Sequence, residues 1–288
     1  MNVDNRLIAV VTGATGGMGR ETAALLAAKH GMKVFLMGRN REKGMEAVRY
    51  VNDRSGREDA QFIYCDLASL ASIKTTAEVL AAACERIDVL VNNAGVVTIR
   101  REETEDGFER QLGVNHLGHF VLTGRLLPLL AKSEAGRIVV VSSGAHKIGQ
   151  MDYDDPQLSK RFTVWGAYGR SKMANIWFTK ELARRLARTS ITVNALHPGA
   201  VSTDIGVNRN TGFGTLVHRV LRPFFLSPEQ GSATAVYLAT SSDIHRTSGG
   251  YYYKQKLAPV TTRAGDAEQA SRFWSWSEKV TGFHWPEL

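Results

Sequence analysis

Tyr168 and Lys172 stand four residues apart in Tyr168-Gly169-Arg170-Ser171-Lys172, so on a helix they lie one above the other on the same face. A free phenol titrates near ~10, too high to exchange protons readily at neutral pH. A cation about 4 Å away, at an effective dielectric of ~20, is worth about 4 kcal/mol, an upper bound of roughly three pKa units. Such a pair is equipped for general acid–base chemistry. The same spacing occurs on ordinary amphipathic helices, so its weight comes from its company. The apolar run Ile138-Val139-Val140-Val141 ends in Ser142-Ser143-Gly144, which puts hydroxyls at a strand end where a carbonyl substrate would sit. Asn115, in Gly113-Val114-Asn115-His116-Leu117-Gly118, falls inside a helical pattern where Asn is locally unfavourable, as a cap, a kink or a functional residue.

These residues need a frame that brings distant segments together. Short β-rich runs at 7–12, 33–37, 61–65, 88–92, 137–142 and 191–196 alternate with helical patterns at 20–30, 41–53, 69–84, 106–130 and 167–187. Nearly continuous apolar strands between helices indicate a parallel sheet covered on both faces. Right-handed crossovers then give an α/β fold, a doubly wound parallel sheet of the Rossmann type, as a single domain. No repeat, low-complexity tract or linker divides the chain. The stretch 204–228 is the least regular but carries Phe213, Leu216, Val217, Leu221, Phe224 and Phe225. It is too apolar for a solvated tail, and its place after a late strand makes it the expected substrate lid.

The first strand runs directly into Thr12-Gly13-Ala14-Thr15-Gly16-Gly17-Met18-Gly19. Four glycines in seven residues permit a tight turn and close approach to a pyrophosphate, and a helix N-terminus there offers free N–H donors. An ordinary βα turn needs only one glycine. The second strand ends in Arg39, with Arg20 and Arg41 near it in sequence and no acid at the position. An acid there bonds the ribose 2′-hydroxyl of NAD, whereas arginine suits the 2′-phosphate of NADP. The expected cofactor is therefore NADP(H).

The loop resembles the TGxxxGxG loop of the short-chain dehydrogenase/reductase family, and the resemblance extends over most of the chain. Asn92-Asn93-Ala94-Gly95 looks like the family's NNAG, and His197-Pro198-Gly199-Ala200-Val201-Ser202-Thr203 resembles its PG motif. The likeness implies a catalytic group of Asn115, Ser143, Tyr168 and Lys172. In it Ser143 polarises the substrate oxygen, Tyr168 exchanges the proton, and Lys172 binds the nicotinamide ribose and lowers the tyrosine pKa. Asn115 holds a water that links Lys172 to solvent. It also implies a cofactor site made of Gly13, Thr15, Gly17, Met18, Gly19, Arg39, Asp66, Leu67, Asn93, Ala94, Gly95, Tyr168, Lys172, Pro198, Gly199, Val201 and Thr203. Asp66 would contact the adenine, although as read from the residues it is equally a helix N-cap ahead of Ser69. Ser143 and Tyr168 are 25 positions apart, about twice the separation in many members. The extra segment at 146–163, the Ser142-Ser143-Gly144-Ala145-His146 run and the Asn-His-Leu-Gly-His-Phe run at 115–120 resemble the retinol dehydrogenases. Those relatives often carry an N-terminal membrane anchor, for which no counterpart is expected here. His197 is tempting as a catalyst, but it abuts a strand end and the Tyr/Lys pair already supplies the proton path.

Composition fits this reading. Hydrophobic residues make up 43% and charged residues 22%, which excludes wholesale disorder. The two cysteines, Cys65 and Cys84, form no CxxC or Cys/His cluster, so neither a disulfide framework nor a metal site is expected, and a reducing, cytoplasmic setting fits. No run approaches the ~18 apolar residues of a membrane span. The net charge of +8 is scattered and lacks an aromatic-basic motif, which argues against a nucleic-acid partner. The expected partner is a small carbonyl or alcohol compound, most simply a lipophilic aldehyde or ketone. Family likeness adds a homodimer or homotetramer through the Tyr/Lys helix and a helix at 228–240, although Ile176, Trp177, Val236, Tyr237 and Leu238 serve equally as core. Two other functions compete: reduction of a C=C bond, for which a cysteine donor near Tyr168 would speak, and a non-catalytic NADP(H)-binding redox sensor, which would be expected to lose the tyrosine or lysine.

Overall fold

The computed structural model describes residues 5–199 and 226–286. The expected lid, but for its last three residues, lies outside them, as do Val201 and Thr203.

Among the described residues, eight strands form one sheet: β1 (Ile8–Thr12), β2 (Lys33–Gly38), β3 (Gln61–Tyr64), β4 (Val89–Asn92), β5 (Arg137–Val141), β6 (Thr192–His197), β7 (Tyr251–Tyr253) and β8 (Lys256–Leu257). Their order is β3-β2-β1-β4-β5-β6-β7-β8, parallel throughout except for the antiparallel β8 at the edge. The chain winds outward from β1 to β3, then returns to β4 and winds the other way. This is the doubly wound sheet expected from the sequence, and the reversal leaves a crevice between the ends of β1 and β4.

Alternation along the strands fills two cores. Val10, Phe35, Met37, Leu90, Ile138 and Val140 face the side covered by α3 (Leu70–Ala83), α4 (Gly118–Leu130) and α5 (Val164–Arg185). Ala9, Val11, Leu36, Val89, Val91, Val139 and Val141 face α1 (Gly17–His30), α2 (Arg41–Ser55) and α6 (Pro228–Thr240). The central strands β1, β2, β4 and β5 are apolar at nearly every position because neither face meets water.

Helix starts follow their caps. Asn40, Ser69 and Thr163 accept from backbone N–H groups of Lys43, Ser72 and Gly166, and Ser227 with Gln230 closes a capping box on α6. Three helix starts differ from expectation, that of α5 falling at Val164 rather than 167 behind its cap Thr163. The first helix begins at Gly17 rather than at 20, because the glycines let the loop turn directly into a helix: Gly13 and Gly17 have φ of 64° and 51°. The pattern at 106–130 starts only at Arg110, where buried Glu109 accepts from the N–H groups of Gln111 and Leu112, and it passes through a π turn, Gly113–Leu117, before α4.

A C-terminal helix, α7 (Ala267–Thr281), lies on α5. Its Phe273 and Trp274 are buried with Trp177, Phe178 and Phe120, so the face of α5 bearing Ile176 and Trp177 is covered by the chain itself. No described helix is long and apolar enough to cross a membrane.

Candidate active site

The glycine loop meets the end of β4. A Cβ on Gly13 would stand 2.8 Å from Ala94 Cα, and one on Gly19 would stand 2.3 Å from the Gly13 carbonyl oxygen. These two glycines therefore allow close packing of protein on protein. Asn93 Nδ2 donates to the Thr12 carbonyl at 2.8 Å, and Thr12 Oγ1 accepts the backbone N–H groups of Asn93 and Ala94 at 2.9 Å each. Gly16, by contrast, faces open space, and α1 begins without a side-chain cap and without an acid in its first turn. Its first N–H groups are left for an anion. Met18 is buried, and Thr15 lies over Gly38, where a Cβ would come within 2.5 Å of Thr15 Cγ2.

Arg39 is exposed and forms no ion pair or hydrogen bond among the described residues. Arg20 stacks on Tyr50 at 4.2 Å, and Arg41 stands 5.3 Å from Tyr64. Asp66 does not cap a helix: Ser69 does so, and Asp66 Oδ1 instead accepts the Ala68 N–H at 2.9 Å. Leu67 is buried, with its carbonyl so near Gly118 that a Cβ there would stand 2.5 Å away. Pro198 and Gly199 follow β6, and Gly199 has a φ of 90°. An uncapped helix end, an open glycine and an unpaired guanidinium fit a phosphorylated dinucleotide.

The second group gathers on β5, α5 and the π turn. Ser143 Oγ accepts the Ala145 N–H at 3.2 Å and stands near enough to the Tyr168 phenol to influence its titration. Lys172 is buried, and its Nζ donates to the Val141 carbonyl at 3.0 Å. Ser142 Oγ ties β5 to α5 by donating to the Lys172 carbonyl at 2.7 Å. Asn115 Oδ1 accepts the Val96 N–H at 2.7 Å, while its Nδ2 donates to the Val96 carbonyl and to Ser171 Oγ, each at 3.0 Å. The asparagine thus joins the π turn, the segment after β4 and α5. A Cβ on Gly95 would stand 3.5 Å from both Asn115 Oδ1 and Lys172 Nζ.

The electrostatics differ from the expected pairing. Burial raises the Tyr168 phenol above its ordinary value, and Ser143 opposes that rise. Lys172 Nζ lies 5.6 Å from the centroid of the Tyr168 ring, aimed at the Val141 carbonyl rather than at the hydroxyl, and burial brings it down to about 8. The ammonium therefore does not pull the phenol down in the protein alone. His197 packs flat on Tyr253 at 5.0 Å and is held at about 4, first by burial and then by His146 and Lys147. It is a neutral, packed ring. Cys65 and Cys84 are buried, just after β3 and at the C-terminal end of α3.

Arg170 escaped the sequence reading. It is 5% exposed, between Tyr168 and Lys172 on α5, and donates to the carbonyls of Gln150 (2.9 Å), Asp155 (2.9 Å) and Pro156 (2.6 Å). It fastens the insertion at 146–163 to the catalytic helix. An arginine inside an otherwise small-residue stretch was the available signal.

A glycine-rich strand-to-helix loop at the switch point, beside a buried lysine and a tyrosine–serine pair, is the layout of a dinucleotide-dependent oxidoreductase. The "short chain dehydrogenase" family model matches residues 7–212, and the chain belongs to that family. It is 39% identical to retinol dehydrogenase 12 of Mus musculus, covering 96% of this chain and 87% of that protein. Among solved structures, an uncharacterized protein from Mycobacterium paratuberculosis is 32% identical, with a TM-score of 0.77 over 98% of this chain and 95% of that one. A short chain dehydrogenase from Shigella flexneri, solved with NADP, is 26% identical with a TM-score of 0.69, covering 88% and 98%.

Proposed function

We propose that this oxidoreductase transfers hydride between NADP(H) and a lipophilic carbonyl or alcohol, with Asn115, Ser143, Tyr168 and Lys172 as its catalytic group. The observation that carries the reading is the convergence of those four residues beside the glycine loop. The nicotinamide, when bound, supplies or accepts the hydride. Ser143 holds and polarises the substrate oxygen, and Tyr168 delivers or removes its proton. Lys172, still mostly cationic at neutral pH, holds the ribose side of the site and reaches toward Asn115, which keeps a relay water. Gly13, Thr15, Gly17, Met18, Gly19, Asp66, Leu67, Asn93, Ala94, Gly95, Pro198 and Gly199 shape the dinucleotide site. Support for NADP over NAD comes from the unpaired Arg39 and from the NADP-bound Shigella relative.

A lipophilic substrate is supported by exposed apolar side chains around the tyrosine. Trp165 is 65% exposed with its ring 6.3 Å from that of Tyr168, and Ile148 is exposed beside Gly169. The relative named for retinol, a lipophilic alcohol, agrees. The test is NADPH and NADH oxidation against a panel of apolar aldehydes and ketones. We expect NADPH-dependent turnover that collapses in Tyr168→Phe. In Arg39→Ala, the KM for NADPH should rise about tenfold with little change for NADH. Absence of turnover with every carbonyl, or an NADH preference in the wild type, would overturn the reading.

A further inference from the structure

We propose that His119 is a positioning residue that locks the backbone of Asn115 to the nucleotide loop, as a permanently neutral imidazole with its proton on Nδ1. The inference rests on the role given above to Asn115 and adds a residue which that reading does not use.

His119 is 2% exposed and stands one turn after Asn115. Its Nδ1 lies 3.1 Å from the Asn115 carbonyl oxygen, and its Nε2 lies 2.8 Å from Thr12 Oγ1. A carbonyl only accepts, so Nδ1 carries the proton. Nε2 is then an acceptor, and the Thr12 hydroxyl must donate to it. The two lone pairs of Thr12 Oγ1 remain for the N–H groups of Asn93 and Ala94, both at 2.9 Å. Every donor and acceptor in the chain is used once. It runs from the Asn93–Ala94 backbone through Thr12 and His119 to Asn115, and so ties β1, β4 and the π turn together.

The count forbids the charged ring. An imidazolium would place a proton on Nε2, and Thr12 Oγ1 would face three donors with two lone pairs. Its own proton would have to turn to the Val91 carbonyl, 3.3 Å away. The surroundings agree: burial holds His119 down to about 4, and the charged group that faces it is Lys172 on α5, with His116 on its own helix. The π turn gives the arrangement its purpose. Widening the helix at Gly113–Leu117 aims the Asn115 amide at Val96 and Ser171, and a side chain takes up the Asn115 carbonyl.

Two measurements test this. Nitrogen-15 imidazole spectra of the wild type, assigned with His119→Leu, should show one ring held as the Nδ1–H tautomer from about pH 5 to about pH 9. A ring that titrates in that range, or that carries its proton on Nε2, overturns the proposal whether or not the enzyme turns over. In kinetics, His119→Asn keeps an amide N–H near the Nδ1 position, whereas His119→Gln keeps only an acceptor for Thr12. With folding checked by circular dichroism, we expect kcat to fall about 10²-fold in His119→Gln and to be largely recovered in His119→Asn, as for a small misplacement of a catalytic group. KM for the carbonyl should change little. Equal loss in both variants, or a loss confined to KM, overturns the link to Asn115. Failure of the Tyr168→Phe control would instead count against the proposed function.

Discussion

Substitution of His116 by phenylalanine should flatten the acid side of the stability profile. His116 is 1% exposed, ringed by Phe273, Phe120 and Phe178 at centroid distances of 4.9, 5.9 and 5.9 Å. Burial, and then the neighbouring His119, brings it from 6.5 to about 3. Because the folded value lies below the unfolded one, the native ring stays neutral while the unfolded chain takes up a proton. Stability is therefore unaffected above about pH 7.5, falls as pH drops through about 6.5, and continues to fall until about pH 3. At about pH 5 the gap is roughly 1.5 pH units, worth about 2 kcal/mol at 1.36 kcal/mol per unit. Phenylalanine fills the same aromatic site without a titrating nitrogen. Ser277, which contacts His116 Nε2 at 3.1 Å, keeps a partner in the Phe273 carbonyl at 2.8 Å. Chemical denaturation at about pH 7.5 and about pH 5 measures the effect, with wild type losing about 2 kcal/mol more than His116→Phe between them. Other histidines contribute equally to both proteins and cancel. The same pH dependence in the two proteins would refute a buried neutral His116.

Arg170→Met should release the insertion from the catalytic helix. Three backbone carbonyls lose a charged donor, a cost of about 3 kcal/mol, seen as a lower Tm and as early proteolysis within 150–160. An unchanged cleavage pattern would mean that the segment holds without its clamp. Gly19→Ala should weaken NADPH binding at least about tenfold and destabilise the fold by about 1–3 kcal/mol, because the new methyl meets backbone that cannot swing aside. Titration by NADPH fluorescence and a melting curve read both effects, and wild-type affinity would show that the loop is looser than its contacts imply.

Much of this protein was legible in the chain. Alternation of apolar runs with helical patterns dictated a doubly wound sheet, because strands buried on both faces must be apolar at nearly every position. The glycine loop, Arg39, Ser143, Tyr168 and Lys172 were readable for a related reason. Each is a residue type suited to the task proposed for it, in a recognisable place relative to the strands and helices. Caps such as Asn40 and Ser69 set helix starts locally, so those boundaries were nearly right.

Other features depend on partners far apart in sequence, and only the packed molecule decided them. The phenol of Tyr168 rises rather than falls because it is buried, and the Lys172 ammonium that could oppose the rise is turned to the Val141 carbonyl. Asp66 yields the cap to Ser69, and the aromatic helix α7 buries Trp177 and Phe178 of α5. Arg170 and His119 owe their roles to carbonyls supplied by the insertion and by a π turn. Periodicity and motif fix which residues are present and which way each face points. Protonation, hydrogen-bond partners and desolvation are set by atoms that meet only when the sheet is wound.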